Sequence, residues 1–369
     1  MEKSKVYFTD MRVKAFGENL LGKLTKLITK AGIGTIDFQN RFAAIKIHFG
    51  ESGNLSYLRP NFARVVVEKV RELGGKPFLT DCNTLYVGTR KDALEHIETA
   101  YRNGFTPYST GCHVIIGDGL KGTDDIAVPV PNGEYVKEAK IGRAIMDADI
   151  FISLTHFKGH EMTGFGGAIK NIGMGCGSRA GKMEQHCDGK PVVKRELCIG
   201  CHHCAKICAH GAPTFTDNKA SIDPNKCVGW RRCIGVCPKD AIEPSWGQAE
   251  GLLDKKMAEY ALAVVYGRPQ FHISLVMDVS PYCDCHPEND NPIVPNIGMF
   301  ASFDPVALDQ ACADAVNAQH PIADSVLGEH GDQYHDHFKD VSPITDWKLQ
   351  LDHAEKIGLG TRSYELIKI

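Results

Sequence analysis

A chain of 369 residues, 43% apolar and 24% charged, is long enough for two modules and a sizeable buried core. With a formal net charge of -3 and both signs interspersed, it presents no basic field for nucleic acid or an anionic membrane. No apolar run is long enough to span a bilayer and Met1 to Arg12 does not read as an export signal, so the fourteen cysteines are expected to be reduced, metal-binding thiols of a cytoplasmic protein.

Near the start, Leu20, Leu21, Leu24, Leu27 and Ile28 fall at helical spacing and predict a helix that covers a core. Ala43 to Phe49 reads as a short buried strand, Pro60 to Leu73 as a helix ended by Gly74 and Gly75, and Pro77 to Thr80 as the next strand. A helix at Lys91 to Asn103, a strand at His113 to Ile116, a helix at Ala139 to Met146 and a strand at Ile150 to Leu154 follow. After a cysteine-rich stretch come a helix at Gly251 to Tyr266, strands at Phe271 to Met277 and Ile297 to Ala301, and a helix at Pro305 to Ala318 that Asp304 caps. This alternation predicts an α/β fold, a mostly parallel helix-flanked sheet interrupted by an inserted ferredoxin-like (α+β) iron-sulfur module. The expected division is residues 1–189 and 246–369 for the two parts of the α/β domain and 190–245 for the module.

Within the module, Cys198, Cys201, Cys204 and Cys208 are separated by two, two and three residues, the run of a two-cluster ferredoxin. The second run has the same spacing, Cys227, Trp230, Cys233 and Cys237, with tryptophan where a cysteine belongs. In such runs the fourth cysteine serves the other cluster, so Cys198, Cys201, Cys204 and Cys237 form a complete set for one 4Fe-4S cluster. The other site keeps Cys208, Cys227 and Cys233, and three outcomes stay open. It holds a 3Fe-4S cluster, a 4Fe-4S cluster closed by water, substrate or a remote group such as Cys176, Cys187 or His210, or nothing. Zinc is the poorer reading, because its paired knuckles stand farther apart.

Ligands of open α/β sheets bind beyond the carboxyl ends of the strands. Asp81 and its neighbours Thr80, Cys82 and Asn83 follow one predicted strand, Thr155, His156, Lys158 and His160 a second, and Asp278, Ser280, Cys283, Cys285 and His286 a third. The densest stretch, Phe157 to Cys176, reads as a glycine-rich loop. Its Gly164, Gly166 and Gly167 allow close backbone approach to a ligand, Asn171 can bind an anion, and Lys170 and His160 are candidate acid-base residues, with Asp81 and Asp278 beside them. No phosphate-loop or dinucleotide pattern is present. Cys283, Cys285 and His286 are a candidate metal set that needs distant ligands for completion. Asp309 either points into the site or pairs with a neighbour, Cys312 reads as packing, and His330, His335 and His337 read as a solvated loop.

The Lys-Gly-His-x-x-Thr-Gly-x-Gly-Gly-x-x-Lys-Asn segment at 158–171, the Ser302 to Asp309 segment and the double cysteine run together resemble the iron-sulfur proteins of the DUF362 family, a domain of unknown function. The resemblance covers nearly the whole chain and implies an α/β core with cluster binding. Trp230, and Ala209 in place of the proline after Cys208, depart from it. His160, Gly164, Phe165, Gly167 and Lys170 are also similar in spacing to a segment of nickel-pincer lactate racemases, which implies only that Lys170 and His160 face a ligand.

These readings point to an iron-sulfur oxidoreductase whose clusters pass electrons to a strand-end site, with a redox protein or small molecule as partner. Two rivals stand beside it: a non-enzymatic electron carrier or maturation partner, and a non-redox enzyme with structural clusters.

Overall fold

The computed structural model describes residues 3–85, 88–186, 191–208, 210–227, 232–243, 251–331 and 333–369. Eight strands form the central sheet: Ser4–Asp10 (β1), Phe42–Lys46 (β2), Lys76–Asp81 (β3), Val114–Ile116 (β4), Ile150–His156 (β5), Gln270–Val276 (β6), Gly298–Ser302 (β7) and Tyr364–Lys368 (β8). Their order is β8-β1-β7-β6-β5-β2-β3-β4. All neighbours are parallel except β1 with β7 and β7 with β6, so the predicted mostly parallel α/β sheet is found.

Alternation along the strands divides the core. Ala43 and Ile45 of β2 join Leu24, Leu27 and Ile28 of helix α1 (Leu20–Lys30), Val66 and Val70 of α2 (Pro60–Glu72) and Ala100 of α3 (Ala93–Arg102) on one face. Ala44 faces the other way, in one core with α4 (Ala168–Cys176), α6 (Leu252–Val265), α7 (Pro305–Asn317) and α8 (Lys348–Ile357), while α5 (Arg179–His186) sends Met183 into a separate buried cluster. No helix among the described residues is long and apolar enough to cross a membrane.

Two segments differ from expectation. Ala139 to Met146 is half strand: Glu138–Gly142 pairs antiparallel with Asp125–Pro129, burying Ala139 and Ile141, and only Arg143–Asp147 is helical. Tertiary pairing overrides the helix-forming composition there. The expected glycine-rich loop is a hairpin, Lys158–His160 with Gly164–Gly166, followed by α4. Its glycines are small for packing: a Cβ on Gly173 would lie 2.1 Å from the Met257 carbonyl of α6. Asp309 of α7 accepts hydrogen bonds from Ala168 N (2.6 Å) and Ile169 N (2.9 Å), capping α4 from a neighbouring helix. Burial pushes that carboxyl up to about 7 against the pull of the two N–H groups. His337 is buried and its Nε2 meets the Gln319 carbonyl at 2.8 Å, so it is no solvated loop residue.

The inserted stretch builds two small antiparallel ladders, Val192–Val193 with Ile242–Glu243 and Pro213–Thr216 with Lys219–Ile222, and two short helices, His203–Ile207 and Arg232–Gly235. It has its own buried cluster, which includes Cys198, Cys204, Cys233, Ile234 and Ile242. Trp230, Ala209 and Cys187 lie outside the described residues.

Candidate functional site

A polar cleft opens at the carboxyl ends of β2, β3 and β5, with about 550 Å³ of void, part of it continuous with solvent. Lys46, a lone cation in an otherwise apolar strand, reaches it because residues two apart share a face, and Gly175 leaves room for its amine. The amine lies 3.0 Å from Asp81 Oδ1 and 2.8 Å from Asn171 Oδ1. Asn171 is turned by donating to Thr155 Oγ1 (2.9 Å) and the Leu154 carbonyl (3.2 Å). Burial alone would raise the Asp81 carboxyl, but Lys46, with His96 and His48, holds it well below the usual range. Asp81 is therefore a fixed counter-charge and is poorly suited to the acid-base role expected of it.

Lys158 pairs with Asp284 at 3.2 Å, and the same buried carboxylate meets His156 Nδ1 at 2.9 Å. Lys170 Nζ donates to Cys283 Sγ at 3.2 Å. A hydrogen bond from the Cys285 thiol and the charge of Lys170 hold Cys283 well below the usual thiol range against burial, while Cys285 is pushed up. Burial would favour a neutral Lys170, but Cys283, Cys285 and Glu161 keep it charged. His160 Nδ1 accepts from Met162 N (3.1 Å) and Thr163 N (3.2 Å), leaving the proton on Nε2, which faces Glu161 at 3.6 Å.

Lys182 also lines the cleft, donating to the carbonyls of Gly177 (2.7 Å), Gly175 (3.3 Å) and Cys82 (3.4 Å), and it forms no ion pair with a described carboxylate. Arg90 and His48 complete the wall and stand 3.0 Å apart. Gly166 and Gly167 line the cleft, whereas Gly164, at φ +74°, turns toward Trp347. Asp278 is not brought in either and pairs with Arg59 at 3.2 Å. Sequence reasoning missed Lys46, Lys182, Arg90 and His48. A lysine and a histidine at alternate positions of an apolar strand were the available signal for two of them.

Cys198, Cys201, Cys204 and Cys237 surround one cavity in the module. Backbone N–H groups point at sulfurs, Ala220 at Cys198 (3.3 Å) and Ala241 at Cys237 (3.3 Å). Burial works the other way, but the Ala220 and Gly200 N–H groups hold the Cys198 thiol below its usual range. Four thiols with N–H donors around one space fit an iron-sulfur cluster. Burial, with the neighbouring Cys204, Cys227 and Cys208, pushes the Cys233 thiol up to about 12. Cys176 belongs instead to the main core, its thiol raised to about 12 by burial.

The cleft and the cysteines meet across α5. Lys182 faces the cleft, and Met183 is buried in the same cluster as Cys198, Cys204 and Cys233. Thr84 and Leu85 repeat the arrangement, one lining the cleft and the next packing on the cysteine core.

Comparison with known proteins gives three findings. The profile of the family described as "Domain of unknown function (DUF362)" matches residues 43–314. A subunit of the ion-translocating oxidoreductase complex of Methanosarcina acetivorans is 46% identical over 60 residues, 16% of this chain and 23% of that one, and a component of the anaerobic dimethyl sulfoxide reductase of Escherichia coli is 28% identical over 120 residues, 30% and 56% respectively. The match therefore spans well under two thirds of these relatives. The lactate racemase apoprotein of Thermoanaerobacterium thermosaccharolyticum is a solved structure similar at 12% identity and a TM-score of 0.35, over 74% of this chain and 51% of that one.

Proposed function

The protein belongs to the DUF362 family, and from that premise we propose that it is an iron-sulfur redox protein that delivers electrons to an anionic substrate in the cleft. The observation that carries this reading is the adjacency of Lys182 and Met183, one in the cleft and the other against the cysteine core. The two sites therefore share α5 as a common wall.

In this reading Cys198, Cys201, Cys204 and Cys237 hold a 4Fe-4S cluster, and Cys208, Cys227 and Cys233 hold a second cluster of the 3Fe-4S or 4Fe-4S kind. When bound, such clusters supply electrons singly. The protein's own residues do the remaining work. Lys46, Lys158, Lys170 and Lys182 focus positive charge on the cleft and bind the anion, with Gly166, Gly167 and Asn171 shaping the wall. Lys170, which donates to Cys283 Sγ at 3.2 Å, and the Nε2 proton of His160 are the candidate proton donors to a bound substrate. The matched relatives carry the names of redox-complex subunits, which favours a redox protein as electron donor.

The carrier reading draws support from Ile199 and Leu197, 54% and 45% exposed beside the first cysteines. It leaves the buried charges of the cleft without a task.

The test is iron and acid-labile sulfide analysis with EPR on anaerobically purified protein, as isolated and dithionite-reduced. About four irons indicate one cluster and about eight indicate two. Cys198→Ala and Cys237→Ala should remove the same signal although they lie in different runs. Protein without acid-labile sulfide even after anaerobic reconstitution would sink the reading.

A further inference from the structure

Beside the cleft, the turn of the Lys158–His160 hairpin and the loop after β6 bring together side chains far apart in sequence. His286 Nε2 lies 3.1 Å from Glu161 Oε1, and one ligand atom from each of Glu161, Cys285 and His286 falls within 4.8 Å of the others. Glu161 Oε2 is buried with no hydrogen-bond partner among the described residues. An ion pair between Glu161 and His286 leaves that oxygen unexplained, and the Cys285 sulfur, whose thiol donates to Cys283, lies close to both side chains.

We propose that Glu161, Cys285 and His286 form a mononuclear site for a divalent ion of the zinc or ferrous class. One sulfur, one imidazole nitrogen and one carboxylate oxygen suit such an ion, and three protein ligands with one position open are the pattern of a site that also takes an exogenous ligand. Around tetrahedral zinc, bonds of about 2.0–2.3 Å place ligand atoms about 3.4–3.7 Å apart. Shifts of about an ångström or less in the partly exposed side chains close the present spacing to that value.

The supports are already rigid. Asp284, between the two cysteines, is anchored inward by His156 and Lys158, the His286 N–H donates to the Cys283 carbonyl (3.1 Å), and Asn54 Nδ2 donates to the His286 carbonyl (3.0 Å). Cys285 also lines the cleft, so the open position lies on the cleft side, within reach of a ligand held by Lys170. Sequence spacing pointed to Cys283 as the third ligand. The structure gives Cys283 to Lys170 and supplies Glu161 instead.

The site stands apart from the cluster reading and is tested apart from it. Anaerobically purified full-length protein is dialysed against buffered free Zn²⁺, and zinc, iron and acid-labile sulfide are counted for wild type, Glu161→Gln, Cys285→Ser and His286→Asn. The expected result is about one zinc per wild-type molecule, binding at least ~10-fold weaker in Cys285→Ser and His286→Asn, and unchanged sulfide in every variant. Glu161 and His286 are exposed enough, 36% and 40% at the side chain, for their replacement to leave the fold intact. No zinc taken up by wild type, or equal affinity in all four proteins, overturns the proposal.

Discussion

Lys46 and Asp81 form an ion pair at 3.0 Å with side chains 1% and 4% exposed, on adjacent parallel strands at the edge of the cleft. Removing either partner leaves the other charge buried alone. Lys46→Met and Asp81→Asn should each cost about 3–5 kcal/mol in urea unfolding, and the double variant less than their sum. Additive losses would show that solvent already screens the pair.

Lys182 should report the ligand. Because its amine donates to three carbonyls and forms no ion pair with a described carboxylate, inorganic phosphate or a dicarboxylate should raise the wild-type Tm by a few degrees and leave Lys182→Met unmoved. Equal shifts in both proteins would place the anion elsewhere.

Gly173 sets the distance between α4 and α6. Gly173→Ala forces a methyl onto the Met257 carbonyl and should destabilise the protein by about 1–3 kcal/mol, lowering the urea midpoint without changing the m-value.

Asp254 in the first turn of α6 gives stability a pH dependence. Burial raises its carboxyl from 3.8 to about 8, and its Oδ1 has no hydrogen-bond partner among the described residues. A folded-state value above the unfolded one means the folded chain holds the proton longer. The stability is therefore full below about pH 4 and is lost as pH rises through about 8. Asp254→Asn should match wild type in acid and exceed it progressively toward pH 9, by an amount on the order of several kcal/mol. Parallel Tm curves for the two proteins across this range would refute the assignment.

Much of the frame was legible because apolar runs such as Ala43 to Phe49 and Phe271 to Met277 have the length and composition of buried strands. β1 and β8 were not, since Ser4–Asp10 and Tyr364–Lys368 mix charged and apolar residues and acquire their pairing only across the folded chain. The cysteine spacing led to the four residues that share a cavity. Within the cleft, Lys170 and Asn171 could be named from local sequence, but Lys182 sits in a polar stretch that gives no sign of its burial. Glu161 and His286 are 125 positions apart, and no local pattern announces their meeting.

The consecutive placement of Lys182 and Met183 has a thermodynamic corollary. On the proposed reading, an anion at Lys182 shares the wall of α5 with the cysteine core, and its charge would disfavour reduction there. Linkage makes the effect mutual: the factor by which the anion lowers the reduction equilibrium is the factor by which reduction weakens the anion's hold. Arrival of an electron would then loosen the bound ligand, and ligand departure would ease the next reduction.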